Sequence, residues 1–359
     1  MAKVAHLLLL LALALFFAAT VVQCNDNQLP NIMGADMIGR GFDGSTLAPR
    51  TLPIVKYNWN DDYTDPDNYW INPFAPTLAY RIPEELVIQD LPEAFIMNGS
   101  SVSATAKEYV LSQSHTQKKK RFLGFGSKST TTYHFVHKYY REDDALLEYY
   151  HFLTYYKLTL PSLPIPALHP QTAKAVARLP RFYKSNPNTP EWRAYRNFIA
   201  QFGTHFMSEA RMGGVIKMTT YFHRCLLSQF NADWVVKQSG WSFLGIINYK
   251  KGGSQYKGKV DIKWEEHSEN QVSLQGGFSN LFDVADWTDW LPSVKQNPFT
   301  VSYAVEPIYS LIKDSDRSNS MAAAIKDYLS SSQTDLDREI AELSPNDPFI
   351  KPSWCTKPF

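Results

Sequence analysis

The stretch Phe202-Gly203-Thr204-His205-Phe206, followed by Gly213-Gly214, is the part of the sequence from which the fold is best predicted. Residues 191–203 have helical composition, and Thr189-Pro190 before them is a typical helix start with proline in the first turn. Residues 215–222 are β-branched and aromatic, as is typical of a strand. We therefore predict that a helix runs into this motif and that a strand follows it.

Further elements are predicted on both sides of the motif. Residues 145–160 form a dense Tyr and Leu run that ends at Pro161, and the length and aromatic content predict a buried strand. Residues 171–179 and 320–343 have helical composition, and Pro345 ends the second helix. Residues 25–100 are rich in Pro, Asp and Asn, so we expect loops with short edge strands there.

One stretch alternates with a period of two. Over residues 256–265 charged residues alternate with an uncharged set, which is Tyr256, Gly258, Val260, Ile262 and Trp264. This period predicts a two-faced strand with an apolar side and a charged side. A tilted strand of about 9–11 residues can cross a bilayer. The stretch is therefore either a strand that crosses a bilayer or a water-facing strand of an ordinary sheet.

The composition excludes several classes of protein. The chain has 359 residues, with 36 Lys+Arg against 35 Asp+Glu. It therefore lacks the excess of basic residues that would indicate a nucleic-acid partner. Aromatic residues make up 14% and charged residues 20%, which argues against disorder. The 22 prolines and 17 glycines follow no period, which excludes a collagen-like chain. A globular protein with one large domain or two ordinary ones remains.

The first residues have the composition of a secretory signal. Lys3 precedes an apolar run over residues 7–22, and Val22-Gln23-Cys24 is an acceptable cleavage site before polar residues. We expect a signal peptide over residues 1–24 and a secreted protein. The alternative is an uncleaved anchor helix, for which the run is slightly short.

Secretion also bears on the cysteines and on glycosylation. Cleavage after Cys24 leaves Cys225 and Cys355, which we expect to form a disulfide bond in an oxidising compartment. Two unpaired buried thiols are the alternative. Asn98-Gly99-Ser100 is the usable glycosylation sequon, so Asn98 is the expected glycan site.

No pattern in the sequence predicts catalysis. Gly253 to Gly258-Lys259 matches the first part of a phosphate loop, but Val260 stands where Ser or Thr must hold magnesium. His134 and His137 have the wrong spacing for a helical metal site, and no carboxylate pattern completes one. No nucleophile elbow occurs. We therefore expect no enzyme activity, no cofactor and no metal.

The motif at residues 202–206 and Gly213-Gly214 resemble the signature of the membrane attack complex/perforin (MACPF) family, with Phe202 in place of the more usual tyrosine. Gly276-Gly277 resembles the second glycine pair of the family, and the Trp, Ser-Val, Asn-Pro and Pro-Ile residues over 287–308 resemble the pattern that follows it. The resemblance implies an α+β fold, in which two helical clusters flank a bent, twisted four-stranded antiparallel sheet. It implies a MACPF domain over residues 25–343 and a short tail over residues 344–359.

The resemblance also implies a function. In this family each helical cluster unwinds on a membrane into an amphipathic hairpin, and many subunits close into one large barrel. A perforin-like secreted pore former is therefore expected, acting on a target cell membrane as a toxin or as an immune or defence effector. Its partners are the lipid membrane and further copies of itself, with a separate targeting protein to consider and no nucleic acid. The alternative is a non-lytic secreted MACPF protein that acts in extracellular signalling or matrix binding.

The resemblance assigns roles to individual residues. Both glycine pairs fit places where a strand bends sharply, with Gly276 and Gly277 as the hinge. His205 beside the bend is expected to be a packing residue rather than a catalytic base. The convertible segments are residues 101–133 and 226–264, and the membrane-inserting candidates in the second are Trp241, Phe243, Ile247, Tyr256, Val260, Ile262 and Trp264.

Overall fold

The computed structural model describes residues 29–45, 48–60, 62, 65–99, 122–123, 144–247, 258–278 and 287–343. The strands in this part are β1 (Arg40–Asp43), β2 (Ala48–Pro53), β3 (Tyr69–Ile71), β4 (Ala79–Arg81), β5 (Val87–Gly99), β6 (Phe122–Leu123), β7 (Asp144–Thr159), β8 (His205–His223), β9 (Ser268–Gln275) and β10 (Phe299–Pro307). The α-helices are α1 (Pro170–Ala177), α2 (Pro190–Phe202), α3 (Cys225–Gln229), α4 (Ala232–Ile247), α5 (Ile262–Glu266), α6 (Trp287–Gln296) and α7 (Ser315–Leu343). The fold is α+β, as predicted.

An antiparallel sheet organises these elements. Its long strands lie in the order β5, β7 and β8, and two strands share the position on the far side of β8. β10 pairs with the first part of β8, and β9 pairs with the last part. The long strands therefore occupy four positions, which agrees with the predicted sheet, and the short strands β1, β2 and β6 extend it.

The predicted elements around the motif are present with shifted bounds. The strand predicted over residues 145–160 is β7, and the helix predicted over residues 191–203 is α2, which Thr189 caps through its side chain. The strand predicted over residues 215–222 is longer, because β8 begins at His205 inside the motif itself. The helices predicted over residues 171–179 and 320–343 are α1 and α7.

The main core lies on one face of the sheet. Leu147 of β7 and Met218 of β8 are fully buried there, together with Phe198 of α2 and Phe243 of α4. A smaller cluster on the sheet comprises Tyr150, Phe152, Val215 and Val301. None of the helices in the described ranges combines the length and the apolar composition that a membrane crossing requires.

The partner of β8 changes at Gly213-Gly214. Gly213 is the last residue opposite β10, and Val215 is the first residue opposite β9. A Cβ on Gly213 would lie 1.8 Å from the Leu153 carbonyl oxygen of β7, so only glycine permits this close approach of the two backbones. On Gly214, a Cβ would instead lie 2.9 Å from the side chains of Trp290 and Val294 of α6.

The second glycine pair ends β9 beside this point. Gly276 and Gly277 have φ values of +82° and +70°, a region that favours glycine. The Gly277 N–H donates to the Asn297 carbonyl oxygen, and the Asn297 side-chain amide donates back to the Gly277 carbonyl oxygen, both at 2.7 Å. Trp290 Nε1 donates to the Gly276 carbonyl oxygen at 2.7 Å. These hydrogen bonds therefore join the two ends of the connection between β9 and β10, which contains α6.

The two glycines of the first pair are expected to differ in their tolerance of a methyl group. Gly213→Ala should lower the free energy of unfolding by about 3 kcal/mol, because the added methyl group meets backbone. Gly214→Ala should cost about 1–2 kcal/mol, because side chains can shift. Urea unfolding followed by circular dichroism measures both variants. A smaller effect at Gly213 than at Gly214 would contradict the close approach.

Candidate functional site

The motif at residues 202–206 joins the end of α2 to the start of β8. Gly203 has φ of +87° and its N–H donates to the Ile199 carbonyl oxygen at 2.8 Å, which ends the helix. A Cβ on Gly203 would lie 2.5 Å from the Phe42 carbonyl oxygen of β1. The next residue, Thr204, donates its N–H to that same oxygen at 2.9 Å. The motif therefore connects the end of α2 to β1 and to the start of β8, which pair with each other in the sheet.

His205 has the contacts of a structural residue. Its ring Nδ1 lies 2.7 Å from the Thr204 hydroxyl oxygen, which also accepts the Gly44 N–H at 2.8 Å. Burial lowers the pKa of His205, and the negative charge of Asp43 acts in the opposite direction. The ring therefore belongs to a hydrogen-bonded core position at the start of β8.

Asp43 beside it is a residue that the sequence reasoning missed. Its side chain is fully buried and accepts hydrogen bonds from the Ser45 hydroxyl at 2.7 Å, from the Tyr328 hydroxyl at 3.0 Å and from Arg50. Burial alone would raise its pKa, but the hydrogen bonds from Ser45 and Tyr328 and the Arg50 charge hold the pKa of Asp43 below its ordinary value. The sequence signal that could have found it is Asp43-Gly44-Ser45, a typical Asx-turn pattern.

The chain between β8 and β9 forms the second part of the site. It leaves the sheet after His223 and returns at Ser268, which lies opposite Phe222. The His223 N–H donates to the His267 carbonyl oxygen at 3.1 Å, so one further backbone bond joins the chain just after β8 to the chain just before β9. Residues 224–267 are therefore inserted between two strands that already pair as a hairpin.

Helix α4 lies on the core-facing side of β7 and β8. Phe243 is fully buried and stacks on Tyr149 with ring centroids 5.6 Å apart. The Tyr149 hydroxyl donates to the Val236 carbonyl oxygen at 2.7 Å, and the buried hydroxyls of Thr220 and Ser239 lie 2.9 Å apart. Apolar packing and two hydrogen bonds thus hold this helix on the sheet.

The strand predicted over residues 256–264 is wrong for this structure. Residues 258–260 form a turn, and α5 spans Ile262–Glu266. Asp261 caps α5 by accepting the Lys263 N–H at 2.9 Å, and its own N–H donates to Gln238 Oε1 of α4 at 2.8 Å. The chain forms a helical turn here because the cap and the contact with α4 satisfy backbone N–H groups. In a strand, those groups would need hydrogen bonds from a neighbouring strand.

The helical turn separates residues that a strand would place on one face. Trp264 is 1% exposed, and its ring centroid lies 5.4 Å from that of Phe222 and 6.1 Å from that of Trp234. Its Nε1 donates to the Ser242 hydroxyl at 3.2 Å. Ile262, two residues earlier, is 66% exposed. In this state the alternating residues therefore form no common surface.

The other insertion candidates lie in the same segment in different surroundings. Two are buried, two are partly buried and one is exposed, in the order Phe243, Trp264, Trp241, Val260 and Ile262. Ile247 is the last residue of α4, and Tyr256 lies outside the described residues. Their role in insertion stays a prediction.

Sequence reasoning missed the polar residues that hold the segment in place. Gln238, Ser239 and Ser242 of α4 bond to α5 or to β8 through their side chains. Gln238 and Ser242 are four residues apart in a largely apolar helix, so they share one helix face. That spacing is the signal that could have indicated a polar contact.

Several predicted features fall wholly or partly outside the described residues. These are the signal peptide over residues 1–24, the tail over residues 344–359 and the convertible segment over residues 101–133, of which only Phe122–Leu123 is described, paired with β10. Cys225 is buried and disulfide-bonded, and its pairing with Cys355 stays a prediction. Asn98 lies in β5, and its glycosylation stays a prediction. Among the described residues, no group of three or more His, Cys, Asp or Glu is placed to hold a metal ion.

Comparison with known proteins identifies the family. The MAC/Perforin domain model matches residues 28–338. The 67 kDa subunit of perivitellin-2 from Pomacea canaliculata is 29% identical over 167 residues, which are 46% of this chain and 28% of the relative. Perforin-1 from Rattus norvegicus is 26% identical over 191 residues, 46% of this chain and 33% of the relative.

The matched regions are parts of longer relatives. The complement component C8 beta chain from Mus musculus is 26% identical over 213 residues, which cover 53% of this chain and 34% of the relative. The matches thus span about a third of the length of these curated relatives. Among solved structures, GNIP1Aa from Chromobacterium piscinae superposes with a TM-score of 0.59 at 14% identity, covering 85% of this chain and 58% of that one, which shows a shared fold.

The Asp43 cluster predicts a pH-dependent contribution to stability. Because the pKa of Asp43 is lower in the folded state than its ordinary value of 3.8, its stabilising effect is present above that pH and is lost as the pH falls through the folded-state pKa. Tyr328→Phe removes a hydrogen bond to the carboxylate and should cost about 1.5–3 kcal/mol at pH 7. Urea unfolding at pH 7 and pH 3 measures this difference. An effect of Tyr328→Phe that is equally large at both pH values would contradict the role of the charged carboxylate.

Proposed function

Because the chain belongs to the MAC/Perforin domain family, we propose that it is a secreted protein that assembles on membranes and forms pores. Its biological role is then that of a toxin or of an immune or defence effector. The protein carries out no bond-making chemistry in this proposal. Many copies line up on the bilayer, and each contributes strands to one closed barrel.

The observation that carries the proposal is where the long insertions leave the sheet. Residues 100–143 connect β5 to β7, and residues 224–267 connect β8 to β9. Both pairs of strands are antiparallel neighbours, and both insertions leave from the same end of the sheet, where Asp144 lies opposite His223. Each insertion can therefore lengthen an existing hairpin without any change in the strands above it.

Inside a lipid bilayer the strands of these hairpins must close into a barrel. Every backbone N–H and C=O inside a bilayer must be paired within the protein, so extended strands are stable there when they form a closed barrel. In the described part of the sheet, β5 pairs with β7 alone, which leaves one long edge for the next copy. A contact between unlike edges of identical subunits is heterologous, and such contacts generate rings when the rotation closes.

The packing of the second segment is consistent with release. α4 is held on the sheet by apolar contacts and by two hydrogen bonds, from Tyr149 to the Val236 carbonyl and between Thr220 and Ser239. A neutral hydrogen bond contributes about 1 kcal/mol net, so the polar part of this attachment is modest. A membrane that accepts the apolar side chains can offset the lost packing.

A disulfide lock tests this proposal. The Thr220 and Ser239 hydroxyl oxygens are 2.9 Å apart, so the double variant Thr220→Cys/Ser239→Cys should form a bond between β8 and α4. We expect the oxidised variant to release no dye from vesicles of phosphatidylcholine, phosphatidylserine and cholesterol. Dithiothreitol should restore release, because the segment is then free to leave the sheet.

Two controls make the result specific. Each single cysteine variant should release dye with or without the reductant, and wild type treated with dithiothreitol accounts for reduction of the Cys225 bond. Release by the oxidised double variant at the rate of the single variants would contradict the proposal. Wild type that stays monomeric on all vesicles, without rings in electron micrographs, would instead favour the non-lytic alternative.

A further inference from the structure

Basic residues are concentrated around helices α1 and α2. Residues 170–196 contain six Lys+Arg and one Asp+Glu, although the whole chain is close to neutral. Lys174, Arg178, Arg181 and Lys184 follow each other at intervals of four, three and three residues, and all four are exposed. We call these four residues the basic patch. A local excess of one charge attracts partners of the opposite charge even when the net charge of the protein is small.

The backbone that carries the basic patch is fixed by hydrogen bonds to neighbouring helices. The Tyr195 hydroxyl of α2 donates to the Pro180 carbonyl oxygen at 2.8 Å. The Ser320 hydroxyl of α7 donates to the Arg181 carbonyl oxygen at 3.0 Å and accepts the Tyr183 N–H at 3.1 Å. A ligand therefore meets a preformed backbone and loses little free energy to ordering it.

Two members of the basic patch have carboxylate partners and two do not. Arg181 pairs with Asp316 of α7, and Lys184 pairs with Glu191 of α2. Both of these cationic side chains are more than half exposed, so the pairs are weak and can exchange for another anion. The other two members form no salt bridge within the described ranges. They are four residues apart on α1 and therefore share a helix face.

An exposed aromatic ring lies within the basic patch. Phe182 is 62% exposed, and the guanidinium carbon of Arg181 lies 5.6 Å from the centroid of its ring. Stacking on a ring leaves the N–H donors of a guanidinium available to an anion. The patch thus offers cations and an apolar surface side by side. A sulfated sugar presents the matching groups, which are anionic sulfates and the C–H face of the ring.

The basic patch lies at the end of the sheet that is far from both insertions. Asp316, the partner of Arg181, is in the first turn of α7. α7 follows β10, which ends at Pro307 opposite His205 at the start of β8. Both insertions leave the sheet at the other end of β8, beside His223. β8 has 19 residues at about 3.3 Å each, so roughly 60 Å of strand separates the two ends.

This position distinguishes two kinds of anionic partner. In the orientation proposed above, the insertions face the bilayer, so the basic patch lies at the end of the molecule that is remote from lipid headgroups. A polysaccharide chain extends away from a cell surface or through a matrix and can reach that end. Arginine suits such a partner, because its paired N–H groups bind the oxygens of an oxyanion in a bidentate manner.

We propose that the basic patch binds a sulfated polysaccharide of a cell surface or of the extracellular matrix. The charge pattern is independent of pore formation, whereas the choice of a polysaccharide over a lipid headgroup rests on the pore-forming orientation. Binding of this kind holds the protein at a target before it assembles. It also serves the non-lytic alternative, in which matrix binding is itself the function.

Heparin binding by the purified full chain tests the proposal. Wild type should bind fluorescently labelled heparin at about 0.15 M NaCl, as measured by anisotropy. Lys174→Gln/Arg178→Gln should weaken this binding by about tenfold or more, because two cations without carboxylate partners are lost. Contacts with a polyanion release counterions, so the slope of log K against log salt should become shallower by about two. Urea unfolding midpoints show whether the fold is retained.

Two matched variants control for net charge and for side-chain chemistry. Lys237→Gln/Lys259→Gln removes two exposed cations in the segment between β8 and β9 and should bind heparin within about twofold of wild type. Lys174→Arg/Arg178→Lys keeps both charges in the basic patch and should bind within about threefold. Hyaluronan, which has carboxylates but no sulfates, should bind wild type about tenfold more weakly than heparin does.

Each outcome decides for or against the basic patch. Equal weakening by the two pairs of glutamine substitutions, or wild type that binds no heparin, would overturn the proposal. A fall in binding of Lys174→Gln/Arg178→Gln to phosphatidylserine vesicles as large as the fall for heparin would also overturn it, because the partner would then be a lipid headgroup. Dye release by this variant at the wild-type rate from vesicles without polysaccharide supports it. Wild type that binds heparin but releases no dye would contradict the pore-forming function alone.

Discussion

The continuous pairing of β7 with β8 is the interaction on which the rest of the structure depends. The ladder runs from Asp144 opposite His223 to Thr159 opposite Glu209, and β5, β9, β10, α4 and α6 all contact one of these two strands. At Gly213 the Leu153 carbonyl oxygen of β7 leaves no space for a Cβ. Because the two strands are fixed along their whole length, the neighbours of β8 can change from β10 to β9 without loss of the sheet.

The glycine bend divides this sheet into two parts with different attachments. Above it, the motif at residues 202–206 and the Asp43 cluster tie β1, α2 and α7 to the start of β8, and Arg196 of α2 adds an ion pair to Asp327 of α7 at 3.1 Å. Below it, α4 packs on the sheet through Phe243 and bonds to it through the Val236 carbonyl and the Ser239 hydroxyl. Local stability follows the contacts that a region makes. Opening of the lower part is therefore expected to leave the upper part folded.

The sequence predicted the elements whose signal is local. β7 and α2 were found because a long aromatic run and a capped helix start need no information from elsewhere in the chain. The first part of β8 was missed, because residues 205–212 mix polar and apolar side chains that are buried by partners on both sides. Asp43 was missed for a similar reason, since its partner Tyr328 is far away in sequence. Family resemblance indicated the convertible segments, whereas their contacts with the sheet needed coordinates.

The alternating stretch shows why a correct pattern can give a wrong element. Alternation requires a partner strand, and in this state the described chain that follows β8 forms the helices α3 and α4 instead of a strand. Asp261 then caps a helical turn and Trp264 reaches the core, so the period of two has no ladder to join. Upstream of this stretch, Phe222 lies in β8, Leu226 in α3 and Trp234 in α4, so the chain changes from strand to helix within a few residues. Alternation in the sequence therefore describes only the order of side chains, and the partners available to the backbone decide whether that order becomes a strand.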